Sequence, residues 1–174
     1  MRKLLIALVA VTATPALLGQ GTIIFNNRNV AAGIDAKILG PSGAGLSGPD
    51  WKADLVAGPA GTPLARLVPV PNSTTPFRTG VAAGYVTPIT VTIPNIGPGA
   101  RATVAVRVFN GSSGLSSYGT SSPITVPTGD PTTSPPGLPT DMIGLTGFAF
   151  LCPEPPTYAL AILAAVALLL WRRK

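Results

Sequence analysis

Histidine is absent from this 174-residue sequence, and cysteine and glutamate each occur only once. Without histidine the chain lacks the usual general base near neutral pH, any Ser-His-Asp or Cys-His pair, and the commonest zinc ligand. The aspartates are scattered and form no paired-carboxylate motif. We therefore expect a protein that is not an enzyme and has no catalytic residue, no metal site and no cofactor.

Between the two ends of the chain, long segments without helix breakers are also missing. The chain contains 20 glycines and 20 prolines, and between residues 20 and 152 no stretch free of both exceeds 11 residues. A helix of normal length has no place between residues 20 and 152. A composition this rich in glycine and proline is also found in disordered chains. Here, however, the apolar residues cluster between the breakers, as they do in the strands of a sheet.

Charge is sparse and mostly confined to the two ends. The formal net charge is +6, but five of the twelve Lys and Arg residues lie in the first three and last three positions. The remaining positive charges are scattered singly between residues 20 and 152 and form no stripe that could follow a phosphate backbone. This pattern argues against binding to nucleic acid.

The N-terminus has the layout of a secretory signal peptide. Met1-Arg2-Lys3 supplies positive charge, an apolar run follows as far as Ala13, and small residues come after Pro15. We predict a signal peptide over residues 1–19, with cleavage between Gly19 and Gln20 by signal peptidase after export through Sec-type machinery. Cleavage after Ala16 and an uncleaved N-terminal anchor are the alternatives.

The C-terminus has three parts: the motif Pro153-Glu154-Pro155, an apolar run from Tyr158 to Trp171, and the basic end Arg172-Arg173-Lys174. The run is apolar all round, has an aromatic residue at each end and stops at a basic cluster, which is typical of a transmembrane helix. As a helix its 14 residues measure roughly 21 Å, which is short for a hydrocarbon core of roughly 30 Å. A buried core helix is the alternative.

This three-part tail resembles the PEP-CTERM sorting signal of bacterial exported proteins. The resemblance rests on Pro153, Glu154 and Pro155, on the apolar helix, and on Arg172, Arg173 and Lys174 as the membrane stop. It implies recognition by an exosortase, a membrane-embedded cysteine transpeptidase that cleaves near the motif. The protein would then pass from a precursor inserted in the inner membrane to the cell surface or extracellular matrix. Pro156 stands where the family's motif has serine, so the cleavage point is not defined.

Between the two ends the sequence predicts an all-β fold, a single β-sandwich-like domain. Arg101–Phe109 alternates strictly, with Ala102, Val104, Val106 and Val108 on one face, and we expect it to form a hairpin with Val86–Ile93. The other predicted strands are Thr22–Asn27, Ala36–Leu39, Trp51–Ala57, Leu64–Val70 and Ile124–Val126, with surface loops at Gly40–Asp50 and Asn110–Ser122.

These predictions divide the chain into five parts. The signal peptide (1–19) is followed by the β-sandwich domain (20–127), and a Pro/Thr/Ser-rich segment (128–141) reads as an extended linker. A last strand and its approach to the motif (142–152) precede the sorting signal (153–174), which contains the transmembrane helix (158–171).

Three groups of residues suggest sites, each with a plainer interpretation beside it. Asp130 and Asp141 could hold calcium, or simply form turns. Trp51 and Tyr85 could form a sugar-stacking platform, although the alternation around Trp51 favours core packing. Cys152 could be an acylation or transfer point, or a small apolar residue at a strand end.

The sequence as a whole indicates an exported, non-enzymatic structural or extracellular-matrix protein. The alternative is a surface carbohydrate-binding module that binds exopolysaccharide through exposed aromatic residues or through the 110–122 loop.

Overall fold

The structure is a computed structural model, and it describes residues 20–111 and 117–149. The described chain is all-β, as predicted, with thirteen strands and three short 3₁₀ turns at Val30–Ala32, Leu64–Arg66 and Gly80–Ala82. Within these residues no helix is long and apolar enough to cross a membrane. The predicted signal peptide, the predicted transmembrane helix and Cys152 lie outside the described residues.

A three-stranded sheet, the small sheet, begins at the first described residues. Its central strand is β1 (Gly21–Phe25), whose side chains alternate between buried and half-buried positions. Strand β8 (Ile89–Ile93) pairs antiparallel with one side of β1, and β12 (Thr140–Asp141) pairs parallel with the other. The alternation of β-branched residues in β1 and β8 explains why one face of this sheet is apolar.

A six-stranded sheet, the large sheet, is built around two long antiparallel strands, β5 (Gly48–Pro59) and β9 (Arg101–Asn110). On the outer side of β5 lie β6 (Val68–Pro69) and β7 (Thr75–Phe77). On the outer side of β9 lie β10 (Ser117–Thr120) and β11 (Ile124–Pro127). Two further strand pairs complete the structure: β2 (Arg28–Asn29) with β3 (Ile34–Asp35), and β4 (Ile38–Leu39) with β13 (Phe148–Ala149).

One apolar core joins the two sheets. It contains Ile23 and Phe25 from β1, Val91 and Ile93 from β8, and the inward residues of β5 and β9, among them Leu55, Val104, Val106 and Val108. The predicted inward face of β9 is therefore confirmed. The opposite face is also largely covered, because Thr103 is only 4% exposed and its hydroxyl accepts the amide of Gly61.

The predicted hairpin between residues 86–93 and 101–109 is wrong. Strand β8 belongs to the small sheet and β9 to the large sheet, and the two do not pair. The connection 94–100 is too long for a tight hairpin turn, and it places Ile96 in the core, where its carbonyl accepts the amide of Gly21. The turn-forming residues therefore carry the chain from one sheet to the other instead of reversing it within one sheet.

Several strand limits also differ from the predictions. Residues 64–66 form a 3₁₀ turn after Pro63, so only Val68–Pro69 of the predicted Leu64–Val70 strand joins the edge of the sheet. Strand β5 begins inside the predicted Gly40–Asp50 loop and continues as far as Pro59. Strand β10 lies within the predicted Asn110–Ser122 loop. In β5 and β10, pairing with a long neighbouring strand outweighs the local turn-forming composition.

Residues 128–141 are not an extended linker throughout. The amide and carbonyl of Gly129 both bond to Thr22, and Thr140–Asp141 forms β12 beside β1. Between them the chain closes on itself, because the amide of Gly137 donates to the carbonyl of Asp130. The last strand was predicted within residues 142–152. The described part of this range forms one strand, Phe148–Ala149, which pairs with β4.

Glycine permits the close approach of chain segments in this fold. A Cβ added to Gly21 would collide with the side chain of Thr128, and one added to Gly147 would collide with the backbone of Lys37. The high glycine content therefore reflects backbone packed closely against its neighbours, and not only turns.

We predict that Val106→Asp lowers the free energy of unfolding by at least about 3 kcal/mol, because it places an unpaired carboxylate in the core. Val68→Asp is the matched control, since Val68 lies on an edge strand and is 63% exposed. Thr103→Asp should fall between the two. Urea denaturation of the 20–151 segment measures all three, and equal losses for Val106→Asp and Val68→Asp would contradict this core.

Candidate functional site

The residues predicted to direct sorting lie almost wholly outside the described chain. This holds for Pro153, Glu154 and Pro155, for the basic end 172–174, and for Gly19. Gln20 is described; it is exposed and borders a cleft of about 300 Å³ beside β8, together with Pro71, Asn72, Thr90, Val91, Thr92 and Pro94. Predicted cleavage before Gln20 would therefore leave a new N-terminus on the surface, next to this cleft.

The most heavily bonded polar side chain in the described core is that of Asn27, which is fully buried. Its amide nitrogen donates to the carbonyls of Ala36 (2.8 Å) and Gly84 (2.9 Å), and its amide oxygen accepts the backbone amide of Val86 (2.8 Å). The backbone carbonyl of Asn27 also accepts the amide of Ala36 at 2.9 Å. One side chain thus joins the end of β1 to two segments that are distant in sequence.

Asn27 could have been found from the sequence. It continues the inward phase of β1, following Ile23 and Phe25 at intervals of two residues. A polar residue on a buried face needs partners for all its hydrogen-bonding groups, and an asparagine can satisfy backbone groups that lack a strand neighbour. The pattern does not say which segments supply those groups.

Beside Asn27, Tyr85 lies between two charged residues. Its hydroxyl donates to Asp35 Oδ1 at 2.5 Å, and the guanidinium carbon of Arg28 lies 4.8 Å from the centre of its ring. Arg28 and Asp35 are opposite each other in the β2–β3 pair. The hydrogen bond to Asp35, followed by burial, raises the pKa of Tyr85, while the positive charge of Arg28 acts in the opposite direction.

Trp51 and Tyr85 do not form a shared sugar-stacking platform. Tyr85 is only 7% exposed, with Arg28 over its ring and its hydroxyl bonded to Asp35. Trp51 is half-buried and packs against the core, as its alternation with Ala53 and Leu55 suggested. A sugar ring needs an accessible aromatic face, and Tyr85 presents none in this arrangement.

Asp130 and Asp141 do not form a shared calcium site. Asp130 accepts the backbone amide and the hydroxyl of Thr132, which lowers the pKa of its carboxyl. Asp141 instead accepts both of its hydrogen bonds from the Asn29 side chain, each at 3.1 Å. In the described ranges no three His, Cys, Asp or Glu residues come close enough to hold a metal ion.

An ion pair that the sequence did not predict lies on the outer face of the large sheet. Asp54 and Arg107 are opposite each other on β5 and β9, and Arg107 donates to the two carboxylate oxygens of Asp54 at 3.0 and 2.5 Å. Asp54 is only 7% exposed. The hydrogen bond to Asp54 raises the pKa of Arg107. Alternation placed both residues outward, but only the register of the two strands brings them together.

Four of the five described aspartates thus bond to structural partners: Asp35 to Tyr85, Asp54 to Arg107, Asp130 to Thr132 and Asp141 to Asn29. This arrangement stabilises turns and strand pairs. Comparisons with protein-family models, with curated proteins and with solved structures find no match to this chain.

We predict that Asn27→Asp lowers the free energy of unfolding by roughly 3 kcal/mol, because a carboxylate oxygen would then face the carbonyl oxygens of Ala36 and Gly84. Asn26→Asp is the matched control. Asn26 is only partly buried and bonds to Arg28 alone, through its amide oxygen and nitrogen. Thermal or urea denaturation measures both variants, and a loss at position 26 as large as that at position 27 would contradict the role given to Asn27.

We also predict that Tyr85 ionises above the ordinary tyrosine pKa of about 10. Because the fold favours the neutral phenol, this contribution to stability is complete below the unfolded pKa and is lost as pH rises through the folded pKa. In the 20–151 segment, Tyr118→Phe leaves Tyr85 as the single tyrosine, so phenolate absorbance near 295 nm reports it directly. Asp35→Asn should lower the pKa measured for Tyr85. An ordinary tyrosine pKa in the chain that retains Asp35 would refute the Tyr85–Asp35 hydrogen bond.

Proposed function

We propose that this chain is an exported, surface-destined structural or extracellular-matrix protein, sorted through a C-terminal PEP-CTERM signal by an exosortase. The observation that carries the proposal is the three-part tail: Pro153-Glu154-Pro155, the apolar run 158–171 and the basic end Arg172-Arg173-Lys174. The proline residues lack amide donors and favour an extended backbone, which a transpeptidase can accept as substrate, while the apolar run holds the precursor in the membrane.

The limits of the folded part are compatible with this proposal. Strand β1 begins at Gly21, two residues after the predicted signal-peptide cut, and β13 ends at Ala149, four residues before Pro153. Processing at either predicted position would therefore remove no described strand. The two sheets and their common core suit a β-sandwich-like domain that keeps its fold after both ends are removed.

The same proposal defines the topology of the precursor. Arg2 and Lys3 at one end and Arg172, Arg173 and Lys174 at the other all favour the cytoplasmic side of the membrane. The chain between them would form a loop on the far side, where the β domain folds and where Glu154 meets the exosortase. A cell-surface or matrix location follows once the tail is transferred.

The chemistry of the domain supports a structural role more than a catalytic one. Histidine is absent from the sequence, and the described carboxylates at positions 35, 54, 130 and 141 bond to neighbouring side chains. The carbohydrate-binding alternative stays a prediction, now without the aromatic platform. Retention of the 20–152 segment on the organism's own exopolysaccharide would favour that alternative.

We predict that the mature protein has lost both apolar ends. Mass spectrometry of protein extracted from the cell surface should yield peptides from the 20–149 region and none from residues 159–171. Glu154→Ala should leave an unprocessed precursor in the membrane fraction, and replacement of Arg172-Arg173-Lys174 by neutral residues should weaken membrane retention. Asp130→Ala, a carboxylate change in an exposed loop, is the control and should be processed normally.

Two results would contradict the sorting proposal. Tail peptides in the bulk of the surface material would show a permanent anchor instead. Normal processing of Glu154→Ala would show that the Pro-Glu-Pro motif is not what the sorting enzyme recognises.

A further inference from the structure

Strand β8 differs from the other edge strands of the two main sheets. Elsewhere an edge strand contains a proline (Pro69 in β6, Pro76 in β7, Pro127 in β11), has a register shift (β10) or is only two residues long (β12). Such features prevent a foreign strand from adding to an edge. Strand β8 is five residues long and regular, and contains no proline, glycine or charge. In the described chain it pairs on one side only, with β1.

Among the described residues, the backbone groups on the side of β8 away from β1 have no strand partner. The amide and carbonyl of Thr22 both bond to Gly129, on the side of β1 away from β8. Thr22 is opposite Thr92, and Ile24 is opposite Thr90. Because bonded and non-bonded pairs alternate in an antiparallel ladder, the amides and carbonyls of Thr90 and Thr92 point to the side of β8 away from β1. A cleft of about 300 Å³ adjoins Thr90, Val91 and Thr92 of this strand.

The sequence of β8, Ile89-Thr90-Val91-Thr92-Ile93, reads the same in both directions. In an antiparallel pair of two β8 strands centred on Val91, each residue would therefore face its own kind. Threonine pairs would lie on the exposed face and aliphatic pairs on the core face, with no like charges opposed. Thr90 and Thr92 would form the hydrogen-bonded pairs, because their amides and carbonyls point toward the added strand.

We propose that β8 is a homotypic strand-addition site through which two copies of this chain form a symmetric dimer. Thr90 of one copy pairs with Thr92 of the other, and the two small sheets become one six-stranded sheet. A two-fold axis through Val91 uses the same edge of both copies, so the contact closes at two copies and does not propagate into a filament. This inference does not rest on the sorting of the protein.

Disulfide trapping tests the register. In the full chain, purified in detergent and carrying Cys152→Ser, Thr90→Cys and Thr92→Cys are made as separate, differently tagged variants. Directly opposed residues lie about 5.5 Å apart between Cα atoms, within disulfide range, whereas diagonal neighbours are roughly 7–8 Å apart. A mixture of the two variants should form a mixed disulfide dimer in mild oxidant, and either variant alone should form far less.

Charge exchange tests the contact without a covalent trap. Thr90→Lys with Thr92→Lys places lysine opposite lysine, and should weaken dimerisation about tenfold to a hundredfold. The pair Thr90→Glu with Thr92→Glu should do the same. A mixture of the lysine and glutamate chains should recover the dimer, as measured by analytical ultracentrifugation. Ala60→Lys with Val81→Lys adds the same charge at two exposed positions and should leave dimerisation unchanged.

Three outcomes would overturn the proposal. The first is that the unaltered full chain stays monomeric at about 100 μM, a concentration at which even weakly binding copies form dimers. The lysine variant could remain as dimeric as the unaltered chain while keeping its β-type circular dichroism. Thr90→Cys in a chain that retains Cys152 could form an intrachain disulfide, which would show that the chain's own C-terminal segment covers β8.

Discussion

The side chain of Asn27 bonds to backbone groups of two segments that lie outside the sheet of β1. The segments around residues 36 and 84–86 pass the end of β1 without extending its sheet, and the carboxamide provides two donors and one acceptor at the required distances. A buried amide is stable only when its polar groups are paired, so the position of each segment depends on the others. Tyr85, Asp35 and Arg28 lie on or next to the same segments, so the geometry of this cluster depends on the hydrogen bonds of Asn27.

Chain crossings between the sheets complete this arrangement. Residues 85–88 run beside β7, where Arg78 bonds to Tyr85 and Thr87 to Pro76, and the chain then continues into β8 of the small sheet. The 94–100 connection returns it to the large sheet and buries Ile96 on the way. Each sheet is thus fixed to the other by covalent chain as well as by apolar packing, which is why the core forms one cluster.

Alternation in the sequence predicted what is local: the all-β class, the β1 strand, the inward face of β9 and the packing of Trp51 against the core. It did not predict features that depend on which segments pair with each other. The hairpin of residues 86–93 with 101–109 was wrong because turn composition does not show whether a chain reverses within a sheet or crosses to another. Asp54 and Arg107 were both placed outward, yet their pairing needed the β5–β9 register. The neighbours of Asn27 come from segments up to 59 residues away along the chain.

The order of strands in the small sheet has a consequence for synthesis. Strand β1 is the first of the described strands to emerge from the ribosome, but its partners are residues 89–93 and 140–141. The sheet therefore cannot close until almost the whole β domain has been made, since contacts between residues far apart in sequence form late. Until then β1 lacks at least one of its two strand partners. A domain whose central strand precedes both of its neighbours in the sequence in this way completes that strand's sheet only near the end of its synthesis.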